Sequence, residues 1–87
     1  MKICLTSTGE KKDSKMDYRF GRCGYFIFTD TESEEIEAVK NSAENAAHGA
    51  GIQASQMVME RKPEAVITGN VGPNASSVLT NAGIKVY

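Results

Sequence analysis

Two side chains in this sequence are well suited to meet a metal or an anion, and both stand among glycines. His48 is the only histidine, within Asn45-Ala46-Ala47-His48-Gly49-Ala50-Gly51-Ile52-Gln53-Ala54, and Cys23 lies in Phe20-Gly21-Arg22-Cys23-Gly24. Neutral imidazole is a common metal ligand, and a thiolate beside it suits an iron, copper or zinc-type centre. The first turn of a helix adds N–H groups without intrahelical partners and a partial positive charge, which favour anions. An anionic metal cluster would use all of these. The plainer alternative for His48 is an exposed residue ahead of a helix. Cys23 is open between ligand and inert surface thiol, with Arg19 or Arg22 expected to lower its pKa. The 25-residue separation of Cys23 and His48 matches no recognised motif.

A second candidate is Gly69-Asn70-Val71-Gly72-Pro73-Asn74, at the expected exit of a strand into a helix, where ligands of open α/β sheets gather. It lacks the Lys-Ser/Thr ending of a P-loop and the GxGxxG fingerprint, so nucleotide and dinucleotide binding are not read here. Its alternative is a tight turn that needs glycine for its dihedrals. Cys4, inside an apolar run, reads as a small buried hydrophobe, and Met16, Met57 and Met59 as core packing or gap filling. Glu32, Glu34 and Glu35 read as a solvated turn. No Ser-His-Asp or further Cys-His set is evident, and the first strand offers no carboxylate for two-metal chemistry, so hydrolysis is disfavoured and the chain is read as a non-enzyme.

The elements that must position these residues follow from the pattern of apolar positions. Lys2–Ser7 reads as a strand, apolar at Ile3, Cys4 and Leu5 without alternation, which predicts a central place in the sheet. Residues 8–15 are polar and turn-rich, and are expected to form a mobile surface loop. Gly21 and Gly24 mark bends in the mixed aromatic and basic stretch 16–24. Tyr25–Asp30 is rich in β-formers, residues 31–35 form a charged turn, and Ile36–Lys40 alternates; together they predict a hairpin at one side of the sheet. A helix over residues 49–61 buries Ala50, Ala54, Met57 and Val58 and ends at Pro63. Gly49 and Gly51 each cost about 1 kcal/mol of helicity relative to Ala, so close backbone approach is the better reason for them. A short buried strand at 65–68, a second helix over 74–81 with Asn74 as cap and Gly83 closing it, and a last strand at 84–87 complete an α/β order with parallel later strands.

Eighty-seven residues suit a single domain over 1–87 with a modest core. Ten Lys plus Arg against eleven Asp plus Glu give no global field toward nucleic acid or anionic lipid, so any anion site must be local. No apolar run approaches the length of a signal sequence or a membrane span, and two cysteines make no disulfide framework. A cytoplasmic protein with neither nucleic acid nor membrane as partner is expected.

The N-terminal strand, Phe20-Gly21-Arg22, His48-Gly49-Ala50-Gly51, Gly69-Asn70-Val71-Gly72-Pro73-Asn74-Ala75 and the closing Ala82-Gly83-Ile84-Lys85-Val86-Tyr87 occur in the order seen in the dinitrogenase iron-molybdenum cofactor biosynthesis family, the nitrogenase accessory factors. The chain resembles that family over nearly its whole length. The resemblance implies a three-layer α/β/α ribonuclease-H-like fold with a five-stranded mixed sheet. It also implies a non-catalytic carrier of an iron-molybdenum or other metal-sulfur cluster, working with cluster donor or acceptor proteins. Carried over by position, Arg22, His48, Gly49, Gly69, Asn70, Gly72 and Asn74 are the expected cofactor-binding residues, with His48 and, from the residues alone, Cys23 as metal ligands. Relatives usually run on past the last strand into a further helix, whereas this sequence stops at Tyr87: either that helix is absent by nature or the chain is a shortened form. In both cases one sheet face is expected bare, with a homodimer as one way to cover it. A metal-free protein-interaction or regulatory module is the alternative function. A magnesium-dependent hydrolase on the same scaffold is the third.

Overall fold

The computed structural model describes residues 1–87 apart from Lys12 and Glu34, so the parts of the 8–15 loop and of the acidic turn that rest on those two lie outside the described residues. The chain runs β1 (Lys2–Ser7), β2 (Tyr25–Asp30), β3 (Ile36–Lys40), α1 (Ala50–Glu60), β4 (Ala65–Ile67), α2 (Pro73–Asn81) and β5 (Lys85–Val86). These form one five-stranded sheet in the order β3-β2-β1-β4-β5. β1 is central as its unbroken apolar run requires, antiparallel to β2 and parallel to β4, and β4 is parallel to β5. The β2–β3 hairpin lies at one side, with β3 as the exposed edge.

Register decides which side chains meet. Cys4 stands opposite both Phe28 and Val66, and Thr6 opposite Phe26, so these side chains share one face. Onto that face pack Ala54 and Val58 of α1 with Ala75 and Leu79 of α2, closed by Phe20, Cys23 and Ile84. The α1 stripe holds Ala50, Ala54 and Val58 as expected, but Ser55 replaces Met57 as its fourth buried member. The Ser55 hydroxyl donates to the Gly51 carbonyl at 2.7 Å, which removes the cost of burying it. Phe20, Phe26 and Phe28 form a ladder of tilted rings with centroids 5.6 and 6.5 Å apart, a favoured aromatic geometry.

Both helices thus cover one face, and the described residues build two of the three layers that the resemblance implies. The opposite face presents Ile3, Leu5, Ile27 and Ile67 with no helix of the described residues over them. At the two ends of the 8–15 stretch, Thr8 N–H donates to the Lys15 carbonyl at 2.9 Å and Ser14 N–H to that of Lys11 at 3.0 Å. Several element ends differ from expectation: β4 stops at Ile67 where 65–68 was expected, and β5 spans only Lys85–Val86 of the expected 84–87. Gly49 is the cap of α1 and not its first helical residue, and α2 starts at Pro73, because the fixed φ of proline suits the first helical position; Gly72, not Asn74, is the cap. Among the described residues no helix is long and apolar enough to cross a membrane.

Candidate functional site

Two helix starts and two loops meet at the carboxyl ends of β1 and β4 around a hollow of about 450 Å³. Its walls are Arg19, Phe20, Gly21 and Arg22 on one side, Gly49 to Ile52 of the α1 start on a second, and Asn70 with Gly72 to Ala75 of the α2 start on a third. The segment before β2 is held against the β4 exit by a short ladder: Asn70 N–H donates to Tyr18 O at 2.7 Å and Phe20 N–H to Asn70 O at 3.1 Å. Below it, the buried Thr6 hydroxyl donates to the Asp17 carbonyl at 2.7 Å and lies 2.7 Å from the Thr68 hydroxyl. These bonds fix the loop ends to the two central strands.

The helix starts are brought together by small residues. An added Cβ on Gly21 would lie 3.0 Å from both N and Cα of Gly51, and one on Gly51 would lie 3.3 Å from Cβ of Ala75. Close approach therefore explains Gly51, as its position in a helix suggests. Gly49 has a different reason: its φ of 70° is left-handed and nothing crowds it. Gly69 is set by packing, since a Cβ there would overlap the Tyr18 ring. Gly72 has neither constraint. Its φ of −64° and ψ of 162° suit any residue, and a Cβ would meet no atom within 4 Å.

The donors around the hollow suit an anion. The first helical bonds are Gln53 N–H to Gly49 O at 3.0 Å and Ser76 N–H to Gly72 O at 2.9 Å. The N–H groups of Ala50, Gly51 and Ile52, and of Asn74 and Ala75, therefore have no intrahelical acceptor. No side chain caps either helix and no acid stands in either first turn, so both dipoles face the hollow uncompensated. Arg22 spends Nη1 on the carbonyls of Glu44 at 3.1 Å and Ala46 at 2.7 Å, while Nε and Nη2 make no protein hydrogen bond among the described residues. Arg19 is exposed and grips Asp17 through Nε at 3.2 Å and Nη2 at 3.3 Å. Burial works to raise the Asp17 pKa, but the side-chain and backbone N–H bonds from Arg19 outweigh it and hold the carboxyl below its ordinary range.

Of the residues expected to bind a ligand, Arg22, Gly49, Asn70, Gly72 and Asn74 border this one hollow. His48 and Gly69 do not line it; His48 is exposed, one residue before Gly49. Cys23 is fully buried in the core and off the hollow. Its thiol is pushed up to about 12, by burial first and then by the Asp17 charge, the reverse of the lowering expected from Arg19 and Arg22. Arg22 points its Nη1 to the turn at 44–46, and Arg19 is neutralised by Asp17. Among the described residues no three His, Cys, Asp or Glu side chains gather as a metal site. Arg19, Phe20, Gly21, Ala50, Gly51, Ile52, Pro73 and Ala75 complete the lining. Of these, Arg19 by its charge, Gly21 as a bend and Gly51 as a glycine inside a helix start were readable in the sequence, though not as walls of one hollow.

The fold recurs in known proteins. The apo form of the orange protein from Desulfovibrio gigas superposes with a TM-score of 0.94 at 38% identity, over 98% of this chain and 72% of that one. A Thermotoga protein described as of NifB type superposes with a TM-score of 0.84 at 39% identity, again over 98% and 72% of the two chains. An uncharacterised protein of Methanocaldococcus jannaschii is 35% identical over 86% of this chain, a match that spans 66% of the relative's own length. The family model described as dinitrogenase iron-molybdenum cofactor matches residues 1–87, and the chain belongs to that family.

Proposed function

We propose that this protein is a non-catalytic carrier for an anionic metal-sulfur cluster, of the iron-molybdenum or a related type, on its way between donor and acceptor proteins in the cytoplasm. The observation that carries the reading is the convergence of two uncapped helix starts on one hollow that Arg22 also lines and that has no carboxylate in its lining. Such a surface recognises negative charge through hydrogen bonds and dipoles. The family's association with iron-molybdenum cofactor supports the choice of cargo. In this reading the backbone N–H groups and Arg22 hold the cluster, Asn70 and Asn74 add amide contacts, and Gly72 lets its bulk come close to the backbone. His48, exposed beside Gly49, supplies the imidazole. Cys23 takes no part, because a buried thiol at about 12 is protonated at neutral pH.

Anaerobic titration of wild type, Arg22→Ala and His48→Ala with iron-molybdenum cofactor, followed by absorption and metal counting, tests this. Binding by wild type with loss in Arg22→Ala is expected. No binding by wild type would sink the carrier reading, and equal affinity in His48→Ala would remove the imidazole from the site while leaving the anion hollow. A second reading, a metal-free interaction module, draws on the uncovered sheet face with Ile3, Leu5 and Ile67 half-exposed and Ile36 43% exposed. Stoichiometric iron or molybdenum in protein purified without oxygen would count against it, and the same face offers a place for a second copy or an acceptor.

A further inference from the structure

Asn41 follows β3, outside the walls of the hollow, and is 1% exposed. Its side chain uses every hydrogen-bonding group it has. Oδ1 accepts from Ala43 N–H at 2.9 Å, which shapes the turn that follows. Nδ2 reaches the other way and donates to the carbonyls of Gly21 at 3.0 Å and Cys23 at 2.9 Å. The Asn41 backbone N–H also donates to Gly24 O at 3.0 Å. One residue thereby welds the loop that carries Gly21 and Arg22 to the turn whose carbonyls of Glu44 and Ala46 hold Arg22. Gly21 in turn backs directly on Gly51 in the first turn of α1, and Gly51 on Ala75 in the first turn of α2.

We propose that Asn41 is the positioning residue of the anion hollow: through the Gly21 carbonyl it sets where the N–H groups of α1 and the Arg22 guanidinium stand relative to a bound anion. This rests on the reading of the hollow as an anion site. A turn at 41–44 needs only the Oδ1 acceptor, so the two Nδ2 bonds serve the loop 18 to 20 residues away and not the turn itself. Asn41→Asp keeps the acceptor and loses both donors at nearly constant shape, and because it also adds a negative charge, the wild-type ¹H–¹⁵N spectra carry the distinction between positioning and repulsion.

The probe is tetrathiomolybdate, titrated without oxygen into wild type and Asn41→Asp and followed by its visible absorption, with thermal unfolding run alongside. The expected result is a folded Asn41→Asp that binds on the order of tenfold more weakly, as when a supporting hydrogen bond behind a binding group is removed. In wild type, ¹H–¹⁵N spectra should show the Asn41 Nδ2 protons shifting with the same midpoint as Gly51 N–H, although this buried amide does not line the hollow. Wild-type affinity in folded Asn41→Asp, or still Asn41 resonances while Gly51 shifts, overturns the proposal and leaves the hollow standing. Absence of binding by wild type overturns both. If Asn41→Asp does not fold, the wild-type spectra decide.

Discussion

Replacing Gly21 by alanine tests whether the walls of the hollow are set by backbone contact. The new Cβ would sit 3.0 Å from Gly51 N and Cα and 3.3 Å from Ala50 C. Carbon contacts are most favourable at about 3.5–4.0 Å, so the Gly21 loop and the α1 first turn must separate by roughly 0.5 Å. All three neighbours are backbone, and no side chain can rotate away to absorb the overlap. Overpacking of this kind costs about 1–3 kcal/mol. A domain of this length loses about 4–8 °C of Tm per kcal/mol. Gly72→Ala is the internal control, with ordinary dihedrals and open space around the new methyl. By trimming unfolded-state freedom it should leave stability unchanged or raise it by about 0.4–1 kcal/mol. The assay is thermal and urea unfolding of both variants, paired with tetrathiomolybdate titration. Gly21→Ala should lose stability and affinity together, and Gly72→Ala affinity alone. Equal stability for the two variants would refute the contact argument, and full binding by Gly72→Ala would refute close ligand approach at that residue.

Leu79→Ala empties a fully buried position against the sheet and should cost about 2–5 kcal/mol in urea unfolding. Cys23 should resist iodoacetamide in the native protein at pH 8.5 and react promptly once unfolded, since its folded thiol ionises only near pH 12; rapid native labelling would contradict its burial. Asp17 has a depressed folded pKa, so its contribution is present above the unfolded value of about 3.9 and is lost as pH falls through the folded one. Asp17→Asn should therefore flatten the acid limb of a stability-versus-pH curve, and an unchanged limb would count against the Arg19 pairing.

The fold was legible where local chemistry and burial agree. The bounds of β1, β2 and β3 could be read directly, because β-formers run between turn residues. The unbroken apolar run of Lys2–Ser7 gave β1 its central place, but the burial on both faces expected of it is met on only one, since both helices pack on the same side. The start of α2 was misread because Asn74 is a good cap in isolation, whereas Pro73 takes the first helical position and moves the cap to Gly72. The site was half legible. Glycine-rich helix entries are visible in any sequence, so Gly49 and Gly72 stood out. The environment of Cys23 was not, because it is decided by distant residues: Asn41 and Asp17 lie beside it, while Arg22 turns its Nη1 to carbonyls more than twenty positions on. Gly21 was readable as a bend of close approach, but its pairing with Gly51 was not, and Asn41 escaped altogether, as its role lies in contacts between segments.

The make-up of the hollow also bears on how a cargo departs. A cluster gripped by amide and guanidinium protons, with the His48 imidazole beside them as its one protein ligand, keeps most of its own coordination sphere, so its exit exchanges hydrogen bonds for water and breaks no more than one bond at a metal. Dissociation would then quicken with rising ionic strength, and an acceptor offering thiolates would draw the cluster away by forming the coordination bonds that this lining, free of cysteine and histidine, does not make.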